Sequence, residues 1–263
     1  MLQDNPQILK ISKNLAKRII SELTKMLEND REKYEQFYKE FGRLIKEGVH
    51  MDFANREKLQ NLLLFETMNG PKGKLVTLKE YRDAMPALQQ EIYYITGDSR
   101  ETLESSPHLE ILRKENYDVL FMTDPIDDWI MQQMFQYKKK SFKSVDKGDF
   151  EVEGAEEMIK QAQEKFAKLL EFLKTTLGDS VSEVRFSARL TDSPCCLITE
   201  GNALSPHLER LFKAMHQEIP ESKRILELNP KHPLIEALFK AAAHALSEAV
   251  SPREGLLSTK GTL

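Results

Sequence analysis

The stretch EIYYITGDSRETLESSPHLEILRKENYDVLFMTDPIDDW, residues 91–129, decides how the chain folds. EIYYITG is rich in β-branched and aromatic residues and reads as a strand. Asp98, followed three positions later by Glu101, carries the start signal of a helix that runs on through Leu109, Leu112 and Arg113. YDVLFMT is a second strand. At its end, Asp124-Pro125 sets a capping carboxylate before a proline suited to the first helical turn, opening a helix through IDDWIMQQMF. Two strands joined through a helix of this length pair most simply in parallel, with a right-handed crossover. A small α/β/α layer is therefore predicted over roughly residues 70–145.

On the amino-terminal side, Ile8, Ile11, Leu15, Ile19 and Leu23 repeat at helical spacing, with Lys13, Lys17 and Lys25 off the stripe. Tyr34, Phe37, Tyr38, Phe41, Leu44 and Ile45 mark a second helix, and Leu59, Leu62 and Leu63 a third, so the first third reads as helical. Gly70–Lys74 and Ser141–Asp149 read as polar connections. On the carboxy-terminal side, AEEMIKQAQEKFAKLLEFLKTTLG is one long helical run closed by Gly178. The period then changes. VSEVRFSARL, CCLIT and RILEL suit strands, the turn formers Thr191-Asp192-Ser193-Pro194 join the first two, and helices open at Ser205-Pro206 and at Pro233. This half is predicted as an α+β unit.

The 263 residues, 40% of them hydrophobic, suffice for about two domains with real cores. A net charge of −4 supplies no broad field for nucleic acid or an anionic membrane, and no apolar run approaches the ~18 residues of a membrane span. The run Lys138-Lys139-Lys140 reads as a solvated helix end or loop. Cys195 and Cys196, the only cysteines, are adjacent in an apolar strand and read as a buried pair rather than a disulfide framework, which suits a reducing compartment. The six histidines are dispersed without zinc-binding spacing, so neither a metal site nor a catalytic acid-base pair is predicted. Asn69-Gly70-Pro71-Lys72-Gly73-Lys74-Leu75 imitates a phosphate loop, but Met68 stands where a glycine is needed and Leu75 where a hydroxyl would hold magnesium. Two apolar groups remain as candidate surfaces. Trp129, the single tryptophan, reads by default as a core aromatic, but Ile130, Met131 and Met134 supply apolar groups on more than one face of its helix and leave it room for partial exposure. Leu204, Leu208, Leu211, Phe212 and Met215 form a broad stripe that composition alone assigns to a core.

Five blocks, in order, resemble the heat-shock protein 90 chaperones of the bacterial high-temperature protein G type: GVHMDFANREKLQNLLLF, ALQQEIYYITGDSRETLESSPHLE, NYDVLFMTDPIDDW, VRFSARLTDSPCCL and ILELNPKHPLI. The resemblance implies that residues 1–148 are the end of a middle domain, helical over 1–68 and α/β/α over 69–148. Residues 149–263 would be an α+β carboxy-terminal domain that is short at its end. Binding of unfolded or partly folded client proteins would fall to Asp128, Trp129 and Gln132, with Gln132 in place of the family's asparagine, and to Leu204, Leu208, Leu211 and Phe212 on a helix facing the cleft. Gln3 matches the glutamine of a phosphate-sensing loop whose arginine would precede Met1, so ATP and magnesium are expected only of the complete protein, and the fragment is expected not to be an enzyme. The resemblance further implies a cytoplasmic location in a bacterium, with a mitochondrial relative as the alternative. SPREGLLSTKGTL lacks the apolar residues of the family's last two helices, so a monomer or weak homodimer is expected. The rival readings are a supporting part of a split ATPase and a truncated product without a role.

Overall fold

Two helices open the chain, each started by a side chain that takes an otherwise unpaired amide. In the computed structural model, which describes residues 5–147, 152, 154–200, 203–214, 216 and 223–250, Asn5 Oδ1 accepts from Gln7 N at 2.9 Å and Asp30 Oδ1 from Lys33 N at 3.2 Å. They begin α1 (Pro6–Asn29) and α2 (Arg31–Met51). α2 buries Tyr34, Tyr38, Ile45 and Val49, and the Tyr34 hydroxyl donates to Leu62 O at 2.6 Å. α1 is covered only from Ile20 onward: Ile8, Ile11, Leu15 and Ile19 are 42%, 64%, 58% and 50% exposed, so most of the expected stripe faces outward.

The third predicted helix is cut to α3 (Arg56–Gln60), and Leu64–Thr67 is a strand, β1. Leu62, Leu63, Leu64 and Phe65 are all buried, and four consecutive residues cannot share one helix face. The loop at Gly70–Lys74 turns its amides onto its own neighbours: Gly70 N donates to Thr67 Oγ1 at 3.1 Å and Gly73 N to a Glu66 carboxylate oxygen at 2.5 Å. Then follow β2 (Val76–Thr77), α4 (Leu78–Ala84), which starts on a Thr77–Glu80 capping box, and β3 (Ile92–Thr96). The helix expected from Asp98 arrives in pieces, α5 (Arg100–Glu104), a single 3-10 turn and α6 (Glu110–Lys114). Ser99, not Asp98, caps α5 by accepting from Thr102 N at 3.3 Å, and Ser106 and Pro107 start the second piece. β4 (Val119–Met122) is buried throughout.

After β4 the helix expected to run on to Phe135 is only α7 (Asp127–Met131), and Pro125 precedes it rather than starting it. β5 (Gln136–Tyr137) and β6 (Lys140–Ser144) complete the sheet, so Ser141–Ser144 is strand where a polar connection was expected. Tyr137 pairs with Lys140 across a two-residue turn, Lys138-Lys139, with φ of 48° and 69°. That is the sign pattern of a type I′ hairpin, built here from two lysines. The sheet order is β2-β1-β4-β3-β6-β5, with β3 parallel to both β4 and β6. Side chains alternate across it: Ile92, Leu120 and Met122 meet the helical hairpin, while Tyr93, Ile95, Val119 and Phe121 meet α5 and α6 through Leu103, Ile111 and Leu112. This is the expected α/β/α arrangement.

The carboxy-terminal elements are α8 (Glu156–Lys165), α9 (Ala167–Leu177), β7 (Val181–Phe186), β8 (Cys195–Thr199), α10 (Pro206–Ala214), β9 (Arg224–Leu228) and α11 (Pro233–Val250). The single helix expected before Gly178 breaks at Phe166. This ring is 2% exposed and sits 5.5 Å from Phe186 and 5.0 Å from Phe239, and packing it inward bends the chain there. Gly178, with φ of 53°, ends α9 as predicted. β9 lies between β7, its parallel neighbour, and β8, its antiparallel one. Cys195 and Cys196 fall on opposite faces of β8, the first exposed and the second buried, so the expected buried pair is half wrong. Residues 251–263, on which the expectation of a short end rested, lie outside the described residues.

Replacing Lys138-Lys139 with Asn-Gly should relieve backbone strain at both positive-φ residues, because L-side chains pay about 1–2 kcal/mol in that region. Lys138→Asn with Lys139→Gly is expected to stabilise the chain by roughly 0.5–1.5 kcal/mol net of glycine's entropy, read as a higher urea midpoint at unchanged slope.

Candidate functional site

α7 is five residues long, and its first two side chains are carboxylates buried against opposite neighbours. Asp127, 1% exposed, pairs with Lys46 Nζ on α2 at 2.7 Å, and Asp124 stands 3.5 Å from the same nitrogen. The other Asp127 oxygen accepts from Asp124 N at 3.1 Å and closes the turn before the helix. Burial pushes the Asp127 carboxyl up to about 6, against the downward pull of the Lys46 charge and hydrogen bond. Asp128, 7% exposed, accepts from the Ser205 hydroxyl at 2.8 Å, and the same Ser205 oxygen accepts from Leu208 N at 3.1 Å, capping α10. One short helix thus grips the helical hairpin on one side and the start of α10 on the other.

Trp129 lies between these grips. Its ring stands 6.2 Å from His50 at 80° and 5.7 Å from Phe212 at 75°, both edge-to-face contacts. Trp129 and Phe212 are each half-buried, so a rim of both rings reaches solvent. α10 is held at two further points, by Glu209 with Arg224 at 3.1 Å and by Arg210 with Asp98 at 2.9 Å. The two candidate surfaces therefore meet at one place, through Trp129 and Phe212, which are 83 positions apart in the sequence.

The predicted site residues divide by placement. Gln132 is exposed one turn beyond Trp129, and Leu204 is half-buried beside Ser205. Leu208 is 3% exposed, so it anchors α10 inward and offers no face to a client; Asp128 is likewise spent on Ser205. Both differ from the exposed contacts expected of them, and the reason is the same, since the Ser205 cap draws the first turn of α10 against α7. The side chain of Leu211 and the whole of Gln3 lie outside the described residues. Lys46, His50 and Ser205 were not singled out as site residues. Ser205 carried a cap signal, whereas nothing in the spacing of Lys46 or His50 points to α7.

The chain's own residues do not fit a nucleotide at Gly70–Lys74: the amides that would cradle phosphate are taken by Thr67 and by the Glu66 carboxylate, which would repel it. Among the described residues no group of three or more His, Cys, Asp or Glu could hold a metal ion. A groove of about 920 Å³ opens elsewhere, lined by Lys17, Lys58, Lys79, Glu80 and Tyr137 among others, and none of the predicted site residues lines it.

Comparison with known proteins places the chain. The family model described as Hsp90 protein matches residues 1–254. The chain belongs to the Hsp90 family. Chaperone protein HtpG of Geobacter metallireducens is 50% identical over 261 residues, 97% of this chain and 40% of that protein. The Geobacter sulfurreducens protein of the same name is 50% identical over 244 residues, 90% of this chain and 38% of that one. Its Shewanella amazonensis counterpart is 43% identical over 246 residues, 91% of this chain and 39% of that one. This Hsp90 chain thus spans about two fifths of the length of the relatives it matches.

The Asp127 carboxyl supplies a pH test. Its folded pKa lies above its ordinary value, so the folded state binds the proton more tightly, and stability from this group falls as pH rises from about 4 to about 6. Asp127→Asn should remove that dependence. Relative to the parent, the variant is expected to gain roughly 1–3 kcal/mol between pH 4.5 and pH 7, measured by urea unfolding at both values.

Proposed function

We propose that the chain is part of an ATP-dependent chaperone and holds unfolded or partly folded polypeptide at the rim formed by Trp129 and Phe212. The edge-to-face meeting of these two half-buried rings carries the reading. Such a rim buries client side chains at about 25 cal/mol per Å² of apolar area, and the exposed Gln132 beside it gives the bound segment a polar partner. Holding is passive, since it needs only surface and no bond-making.

Residues 1–148 are assigned to the end of a middle domain and residues 149–263 to a carboxy-terminal domain of the high-temperature protein G type. Two sheets with separate hydrophobic cores and the HtpG names of the relatives support that assignment. ATP and magnesium are assigned to the part of the relatives' length that these residues do not span, because the one loop resembling a phosphate site turns its amides inward. A bacterial cytoplasm is the proposed location: the relatives are bacterial, and no helix among the described residues is long and apolar enough to cross a membrane.

Suppression of client aggregation tests the reading. Trp129→Ala with Phe212→Ala should weaken the chain's ability to keep a heat-unfolded client in solution, several-fold in the concentration required, while the circular-dichroism melt shifts by only a few degrees. Undiminished suppression contradicts the client role. A collapsed melt shows instead that the two rings are core.

A further inference from the structure

We infer that the polypeptide-binding surface continues from Trp129 across the turn between α2 and α3, where Met51, Phe53 and Arg56 form a second subsite for a large apolar side chain flanked by a carboxylate. The inference rests on the proposed role of Trp129 and Phe212 and names the kind of segment that their site takes.

Met51 and Phe53 are each 81% exposed. A lone exposed apolar residue is ordinary, but this turn is fixed rather than loose. Asp52 N donates to Gly48 O at 2.8 Å, Asn55 Nδ2 to Asp52 Oδ2 at 2.7 Å, and Arg56 Nε to Val49 O at 2.9 Å. Phe53 is therefore presented to solvent on a braced backbone, with the Arg56 guanidinium over its ring at 5.0 Å.

The charge of Arg56 supplies the second element. Its bonds go to Val49 O, to His50 O at 3.4 Å and to Gln133 Oε1 at 3.4 Å, all uncharged acceptors. Among the described residues it forms no ion pair, although the chain as a whole is net negative. A half-buried guanidinium whose hydrogen bonds go to neutral oxygens is complementary to a carboxylate, which it binds more strongly than any of those partners.

Continuity with the Trp129 rim is the third element. Arg56 touches both the backbone of His50 and the side chain of Gln133, and the His50 ring meets Trp129, which meets Phe212. Phe53, Arg56, His50, Trp129 and Phe212 thus form an unbroken string of contacts. An extended segment lying along it would set one apolar side chain on the Trp129–Phe212 rim and another against Phe53, with an acidic residue at Arg56. A segment carrying lysine at that place would meet like charge.

Two fluorescein-labelled unfolded peptides with the same leucine-phenylalanine core, one flanked by glutamates and one by glutamines, would be titrated with the full chain at low salt and followed by anisotropy. The glutamate peptide is expected to bind about fivefold tighter, an advantage that shrinks as salt is raised. Phe53→Ser, at a position where the melt should not move, is expected to weaken both peptides about fivefold, because both carry the apolar core, whereas Arg56→Gln is expected to remove most of the glutamate advantage. If Phe53→Ser leaves both affinities unchanged, the subsite does not exist, even where Trp129→Ala weakens both peptides. Equal binding of the two peptides by the parent chain, or a glutamate advantage that survives Arg56→Gln, overturns the carboxylate preference. Should Trp129→Ala weaken neither while Phe53→Ser weakens the glutamate peptide, the role given to Trp129 falls, and the continuity of the surface with it.

Discussion

Two adjacent carboxylates pointing in opposite directions hold the candidate site together. Asp127 is drawn to Lys46 and Asp128 to Ser205, so the five residues of α7 cannot turn without breaking one charge pair or one buried hydrogen bond. Burying an ion pair of this kind is expensive, and the upward displacement of the Asp127 carboxyl shows that Lys46 does not fully offset the loss of water. The arrangement is therefore poor as a source of stability and good as a source of position. What it positions is Trp129, two residues after Asp127 and one after Asp128.

The same division of labour recurs where the two halves of the chain touch. Burial by itself would raise the Glu110 pKa, yet Ser193, Asp192 and Thr191 donate to the carboxylate and hold it below the usual range. Arg189, 1% exposed, pairs with Glu227 at 2.8 Å and donates to Val145 O and Lys147 O at 3.1 and 3.2 Å. Together with Thr199 N on Asp146 O at 3.1 Å, these contacts fix the three-stranded sheet against the end of β6. α10 leaves that sheet region already oriented. The approach of Phe212 to Trp129 follows from polar contacts made elsewhere, since neither ring is buried deeply enough to dock the helix unaided.

Much of the fold was legible in the sequence. The strands at residues 92–96, 119–122, 181–186, 195–199 and 224–228 follow from β-branched and apolar runs bounded by turn residues, and β3 and β4 pair in parallel as expected. What escaped depended on partners distant in sequence. Leu64–Thr67 continues a leucine-rich pattern that reads as helix until the sheet claims it, and Ser141–Ser144 reads as part of a polar connection because the strand it pairs with, β3, lies nearly fifty residues earlier. The site was half legible. Trp129 and Phe212 could be chosen as apolar groups, but their contact could not; the burial of Leu208 agrees with its helical stripe and differs from the client contact that the family resemblance implied, and the Ser205–Asp128 bond beside it joins residues 77 positions apart. The solvent-facing stripe of α1 had the opposite cause: periodicity reports an amphipathic helix without saying what, if anything, covers its apolar side.

Trp129, the chain's only tryptophan, is its own reporter of the central claim, that the Trp129–Phe212 rim is where polypeptide binds. The direct measurement is its emission during titration with an unfolded client labelled for anisotropy. The account predicts a saturable blue shift, as the exposed rim of the indole leaves water, with the same midpoint as the anisotropy curve. Saturating anisotropy with unchanged tryptophan emission would contradict it and place the client elsewhere on the chain.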